Sequence, residues 1–394
     1  MGTKVRVAGV GMIPFRKPGT GGTYVEMGEQ AARAALADAG VPYDAVEQAY
    51  VGYVYGDSAC GQAAIYRLGM TGIPIVNVNN NCATGSTALW LARQAIECGA
   101  AECVLATGFE DMKPGPLKSS FADRPSPTAL HAALMAEVQA PDETAPRAAQ
   151  FFGGAGAEYA ARHGTRPETF ARVVQKARRH AANNPHAIFR TPLAVEEILA
   201  SPVQYGSLTR YQCCPPTCGA AAAVLCSPRF AARHGLDATV EIKAQAMTSD
   251  TASSFGERSM IKVVGYDMGK AAAARVYEAA GVGPRDVQVV ELHDCFSVNE
   301  LLMYEALGLT GEGTAEQFIV DGANTYGGRV VTNPSGGLLS KGHPLGATGL
   351  AQCAELVWQL RGQAEQRQVE RATHALQHNI GLGGACVVTL YGRA

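Results

Sequence analysis

The sequence predicts an α/β protein made of two related strand–helix halves. Three observations carry this. Short apolar runs alternate with segments whose apolar residues recur at helical spacing. Ala39-Gly40-Val41, followed by Val46 and an apolar run, returns as Ala280-Gly281-Val282, followed by Val287 and another. Cys82-x-x-Gly85-x-Thr87-x-Leu89 returns as His343-x-x-Gly346-x-Thr348-x-Leu350, and each leads into an apolar helix. A duplicated fold puts equivalent turns on a shared face near the joint of its halves. Cys82 and His343 are therefore expected to face each other.

The elements follow in order. Val5 to Val10 reads as a strand. Gly9-Val10-Gly11 lacks the third glycine of a dinucleotide loop, and Pro14 blocks the helix that should follow. Tyr24 to Ala39 has a helical rhythm and stops at Gly40. Ala45 to Gly56 and Ile73 to Val78 read as strand regions, and Asn79-Asn80-Asn81-Cys82 as a turn. From Thr84 the chain is helical past Trp90 and Ile96 and stops at Gly99; Cys103 to Thr107 is the next strand. From Lys113 to Pro146 the rhythm is lost and prolines cluster, which predicts an excursion over the surface. Two helices are expected after it, Ala155 to His163 and Pro167 to Asn183. The second carries Arg172, Lys176, Arg178 and Arg179, read as a solvated face in preference to a phosphate-docking surface. Pro192 to Ser201 closes the insertion. Strands are expected over Val287–Val290, Ala375–Gln377 and Ala385–Tyr391. The predicted division is 1–112 and 207–236 for the first half, 113–206 for the inserted domain, and 237–394 for the second half.

Composition narrows the class. In 394 residues, charged side chains are 17% and hydrophobic ones 47%, so large cores and buried interfaces are expected. A net charge of −2 gives no reason to expect nucleic acid or an anionic membrane. The 11 cysteines are irregularly spaced, which suits reduced thiols in a cytoplasmic setting. Cys213, Cys214 and Cys218 read as core thiols, because no second Cys/His pair follows at zinc-finger spacing. No signal peptide, myristoylation pattern or peroxisomal tail is apparent, and no apolar run reaches membrane-spanning length.

Cys82 sits where a strand hands over to a helix. Free N–H groups and the helix dipole are expected to favour its thiolate there; the alternative is a small buried cysteine. In Glu291-Leu292-His293-Asp294-Cys295-Phe296, His293 and Cys295 are two apart and should share one side, with Asp294 on the other. Pro344 holds His343 extended. Asn379-Ile380-Gly381-Leu382-Gly383-Gly384 reads as a turn that can present bare N–H groups. One histidine can deprotonate one cysteine, and the second cysteine can shuttle another proton. The second histidine can donate to an enolate oxygen. N–H groups of Cys82 and the glycine-rich turn can hold a tetrahedral oxyanion. This equipment suits acyl transfer through a thioester. A structural zinc on the two cysteines and two histidines is the less favoured reading, since only His293 and Cys295 are close in sequence. His374 and His378 read as satisfied core residues.

These residues carry a family resemblance over almost the whole chain. Asn77 to Thr87, His293 to Glu300, Asn333 to Gly349 and Gln377 to Gly384 resemble a thiolase, of the type associated with sterol carrier protein. Asn183-Asn184-Pro185 and Gln212-Cys213-Cys214-Pro215 match as well. The resemblance implies two βαβαβαββ halves in five layers, αβαβα, with an inserted loop domain, assembled as homodimers or homotetramers. It implies Cys82 as the acyl-accepting nucleophile and His343 as its base. Asn379-Ile380-Gly381 stands where most thiolases have a Cys-x-Gly motif. In the sterol-carrier type the lost acid/base role passes to Cys295, and His293 replaces an asparagine of the enolate-binding hole. Gly381 would supply an oxyanion N–H beside that of Cys82. Cys218 stands where relatives usually have aspartate. No metal and no permanently bound cofactor are expected; coenzyme A is the co-substrate and acyl-CoAs the partners. The implied activity is that of a 3-ketoacyl-CoA thiolase in fatty acid and lipid metabolism, with no appended sterol-carrier domain. The alternatives are a condensing enzyme, a sterol side-chain aldolase, or a non-catalytic lipid-binding subunit.

Overall fold

The computed structural model describes residues 2–119, 121 and 123–394. In the first half the strands are β1 (Arg6–Met12), β2 (Gln48–Gly52), β3 (Ile75–Val78) and β4 (Cys103–Glu110). A small hairpin follows, β5 (Val203–Tyr205) and β6 (Leu208–Thr209), and then β7 (Gly219–Cys226). The second half runs β8 (Val240–Thr248), β9 (Val289–Glu291), β10 (Val331–Thr332), β11 (His374–Gly381) and β12 (Ala385–Arg393).

The duplication predicted from the repeats is visible in the strand order, β3-β2-β4-β7-β1 followed by β8-β12-β11-β9-β10. The second half repeats the first about the β1–β8 contact. In each half two parallel pairings lead outward and two antiparallel pairings lead inward. The halves meet through a short antiparallel contact, Arg6 opposite Glu241 and Val7 opposite Val240. Strands β4 and β7 are buried at every position, as their unbroken apolar sequences require of strands covered on both faces.

Three cores account for five layers. In the first, Met27, Ala31 and Leu36 of the Tyr24–Ala39 helix cover one face of the first-half sheet. In the second, Leu89 and Ile96 of the Thr84–Glu97 helix and Leu350 and Leu356 of the Thr348–Arg361 helix share one core. Strand residues of both halves, Ala106 and Val289 among them, complete it. The third buries Met268 and Val276 of the Tyr266–Ala280 helix and Leu301 and Met303 of the Ser297–Ala306 helix on the second-half sheet. The helices bearing the repeated motifs are thus the central layer. Glycine lets them meet: a Cβ on Gly85 would lie 2.7 Å from Gly346 O, and one on Gly349 only 2.2 Å from Ser86 N.

The insertion is more ordered than its prolines suggest. Within 113–146 the chain forms a helix over Ala129–Val138, and the next helix starts early, at Arg147, and runs to His163. The expectations for residues 120 and 122 fall outside the described residues. The Pro167–Ala181 helix corrects the solvated-face reading. Arg172 and Arg179 are exposed, but Lys176 and Arg178 are buried. Lys176 pairs with Glu300 and donates to Thr332 Oγ1 at 2.6 Å, while the Arg178 guanidinium lies 4.3 Å from the Phe189 ring centre. Phe152 stacks on Phe296 with 4.6 Å between ring centres, so the insertion packs against the His293–Phe296 stretch. Such a pair contributes about 0.5–1.5 kcal/mol beyond its buried area. Among the described residues, no helix is long and apolar enough to cross a membrane.

Candidate active site

The turn carrying Cys82 is built by its neighbours' polar side chains. Asn81 takes a left-handed conformation, φ 50°, which asparagine tolerates better than most residues. Asn80 N donates to Thr84 Oγ1 at 2.8 Å, and that hydroxyl donates to Asn81 O at 2.6 Å. Thr87 Oγ1 donates to Ala83 O at 2.9 Å and accepts from Asn80 Nδ2 at 3.1 Å. The His343 turn uses the equivalent threonine in the same way. Thr348 Oγ1 donates to Pro344 O at 3.0 Å, and its remaining partner, at 2.7 Å, is His343 Nδ1. With that hydroxyl hydrogen engaged, Nδ1 carries the ring proton and Nε2 keeps its lone pair. Among the described residues, Nε2 has no hydrogen-bond partner.

Ligand atoms of Cys82, His293 and His343 lie within 4.8 Å of one another, and all three residues are buried. The two imidazoles stand nearly perpendicular, 84°, with 5.0 Å between ring centres. Cys295, also buried, completes the group: its thiol is pushed up by burial first, then by the thiols of Cys214 and Cys82 and by Asp294. Cys214 N donates to Cys295 O at 2.9 Å. Asp294 turns away, as the alternation implies. Its carboxylate accepts from Leu338 N at 2.7 Å and Leu339 N at 3.3 Å, tying this loop to the segment before His343. Gly381 abuts the Cys82 turn, where an added Cβ would lie 2.2 Å from Asn80 O. Asn81 Nδ2 donates to Leu382 O at 3.0 Å across the same junction.

Electrostatics corrects one expectation. The helix end does not win at Cys82: burial pushes the thiol up to about 12, and Glu110 adds to it. The resting residue is a thiol. Burial, with Lys341 adding, holds His343 down to about 3, so its imidazole is neutral and able to accept a proton. His293 is also lowered, by burial and then by His343 and His378. Glu110 bridges the halves here, accepting from Tyr55 N at 2.8 Å and Gly346 N at 3.0 Å.

Cys82, His293 and His343 have the composition of a metal site. The protonation pattern does not fit one. Asn379 Nδ2 lies 2.9 Å from His293 Nδ1. If that amide donates, the ring proton is on Nε2, and no lone pair remains there for an ion.

Residues that sequence reasoning passed over stand behind the cluster: Asn379, Ser86 and Gln377, all fully buried, and Thr348, whose place in the repeat was the available signal. His378 departs from the expectation of a fully satisfied core residue: its Nδ1 faces His293 N at 3.4 Å, and its Nε2 has no partner among the described residues.

The comparisons with known proteins agree with this architecture. The family model for the thiolase N-terminal domain matches residues 5–229, and that for the thiolase C-terminal domain-like family matches 251–391. Sterol carrier protein 2 of Homo sapiens is 56% identical over 392 residues, 98% of this chain and 72% of that protein. Among solved structures, the Ltp2-ChsH2(DUF35) aldolase superposes with a TM-score of 0.83 at 24% identity, covering 99% of this chain and 98% of that one. Human mitochondrial 3-ketoacyl-CoA thiolase in complex with CoA gives a TM-score of 0.74 at 19% identity, covering 100% and 98%. Identities this low speak for the fold alone, whereas the family matches span nearly all of the sequence; the chain belongs to the thiolase family.

Proposed function

We propose that the protein is a 3-ketoacyl-CoA thiolase, using coenzyme A as co-substrate and holding no permanent cofactor. The observation that carries this is the convergence of the Cys82, His293 and His343 ligand atoms within 4.8 Å, in a buried group that includes Cys295. Cys82 sulfur attacks the C3 carbonyl while its proton passes to His343 Nε2. The tetrahedral oxyanion is held by the N–H groups of Cys82 and Gly381. Collapse breaks the C2–C3 bond, leaving an acyl thioester on Cys82 and the enolate of acetyl-CoA or propionyl-CoA. That enolate oxygen accepts hydrogen bonds from His293 and protonated His343, and the Cys295 thiol protonates its carbon. Cys295 is restored by the proton of free CoA, whose sulfur attacks the acyl group. Cys82 then leaves and regains its proton from His343. Because the resting thiol is held protonated, proton removal must accompany carbon–sulfur bond formation, so that the charge ends in the oxyanion hole and not on sulfur beside Glu110.

Intact-protein mass spectrometry after addition of a 3-ketoacyl-CoA should show an acyl adduct in the wild type and none in Cys82→Ala. An adduct that persists in the variant rules the role out. CoA dependence separates the alternatives: cleavage without free CoA points to an aldolase, and lipid binding without turnover to a non-catalytic subunit.

Assembly as a homodimer or homotetramer is part of the same proposal. Strand β3 is an outer strand of the sheet, and Val76 on it is 44% exposed; Tyr66 and Met70, in the segment that leads into it, are exposed as well. An open apolar edge of this kind invites a second copy. Sedimentation of wild type and Val76→Lys tests it: the wild type should run as a dimer or larger, and the variant should shift toward monomer.

A further inference from the structure

The polar chain behind His293 has a fixed direction. Its far end is the carbonyl of Gly349, which can only accept. Gln377 Nε2 lies 2.6 Å from it, so the amide nitrogen and not the oxygen faces that side. The same nitrogen donates to Ser86 Oγ at 2.8 Å, and the Gln377 oxygen accepts from the Tyr391 hydroxyl. Ser86, having received one hydrogen, gives its own to Asn379 Oδ1 at 2.8 Å. The Asn379 nitrogen is left facing His293 Nδ1 at 2.9 Å. An amide nitrogen donates and does not accept, so Nδ1 must accept. The proton of the neutral ring is then on Nε2, the nitrogen remote from Asn379. Ser86, Gln377 and Asn379 are wholly buried, so no bulk water competes for these bonds.

We propose that Asn379 is a positioning residue that locks His293 in the Nε2–H tautomer, so that the ring offers a donor and not a lone pair to the enolate oxygen. This role rests on the thiolysis proposed above. It makes the two imidazoles complementary: His343 is held by Thr348 with a bare Nε2 that takes a proton, and His293 is held by Asn379 with an Nε2–H that stabilises charge. With His293 in the other tautomer, its lone pair would face the developing oxyanion beside protonated His343, and the hole would lose one of its two side-chain donors. Ser86 stands four residues after Cys82, at the start of the same helix. The chain therefore couples the donor histidine of the second half to the nucleophile's helix in the first.

Imidazole nitrogen chemical shifts of the 15N-histidine-labelled wild type, with His293 assigned by difference from His293→Asn, read the tautomer directly. A protonated Nε2 and a bare Nδ1 are expected; the reverse overturns the proposal whatever the activity. Asn379→Asp supplies a carboxylate that accepts from Nδ1–H and should reverse the tautomer. Thiolysis kcat should then fall about 10²–10³-fold with little change in KM. Acyl exchange between Cys82 and CoA, which needs no enolate, should change less than roughly threefold. Equal losses in both would mean a packing defect and would overturn the proposal. If the wild type shows neither reaction, the thiolase reading fails, and the nitrogen shifts still decide the tautomer.

Discussion

The turn carrying Cys82 and the turn carrying His343 share a backbone plan, a threonine bonded back to the carbonyl four residues earlier, and a glycine pressed against neighbouring backbone. They differ in what the threonine holds. Thr87 takes an asparagine amide and shapes the loop, leaving the Cys82 sulfur unsupported by it. Thr348 takes the imidazole itself and orients the His343 ring. The two halves thus present equivalent frames, one carrying the proposed nucleophile and the other the proposed base.

Breaking the first frame should cost most. Cys82→Ala should lose at least about 10⁴-fold in turnover, since nothing else can carry the acyl group. His343→Ala should lower kcat by about 10²–10⁴, with Cys82 still present but without its base; steady-state kinetics on both variants measures the gap between nucleophile and base. Removing the shared glycine contact probes the frame and not the chemistry. Gly346→Ala would place a Cβ 2.3 Å from Phe109 O and 2.6 Å from Gly52 O. Urea unfolding should show a loss of about 1–3 kcal/mol. If stability is unchanged, the His343 turn does not depend on its close approach to strands β2 and β4.

A pH dependence of stability tests the shared burial of the histidines and not either turn alone. Burial holds His343, His180 and His378 down to about 3, and His186 to about 4, against an ordinary 6.5. Between those values the unfolded chain binds more protons than the native one, so stability is full above 6.5 and falls as pH drops. Each such imidazole contributes a slope of up to about 1.4 kcal/mol per pH unit. Urea midpoints from pH 7 to 4.5 should decline, and Thr348→Val should alter the slope by changing what His343 Nδ1 meets.

Much of this was legible in the residues. The paired motifs announced that Cys82 and His343 would face each other, and the two-residue spacing separated Asp294 from His293 and Cys295. Other features had no local signal. Lys176 looked like part of a solvated stripe because its partner, Glu300, comes from a segment 124 residues away. Asn379 looked like a turn residue, because its meaning depends on Ser86, Gln377 and a carbonyl from three separate elements. Burial overrode the helix end at Cys82 for a similar reason. The dipole can be read from local sequence, but the covering layers and Glu110 cannot.

That protonated sulfur has a practical corollary. A thiol that ionises only as its carbonyl target arrives is a poor target for peroxides, alkylators and stray thioesters. On the proposed thiolysis, the protein waits without substrate and loses little of its population to side reactions. Its reactivity becomes a property of the bound complex and not of the free protein.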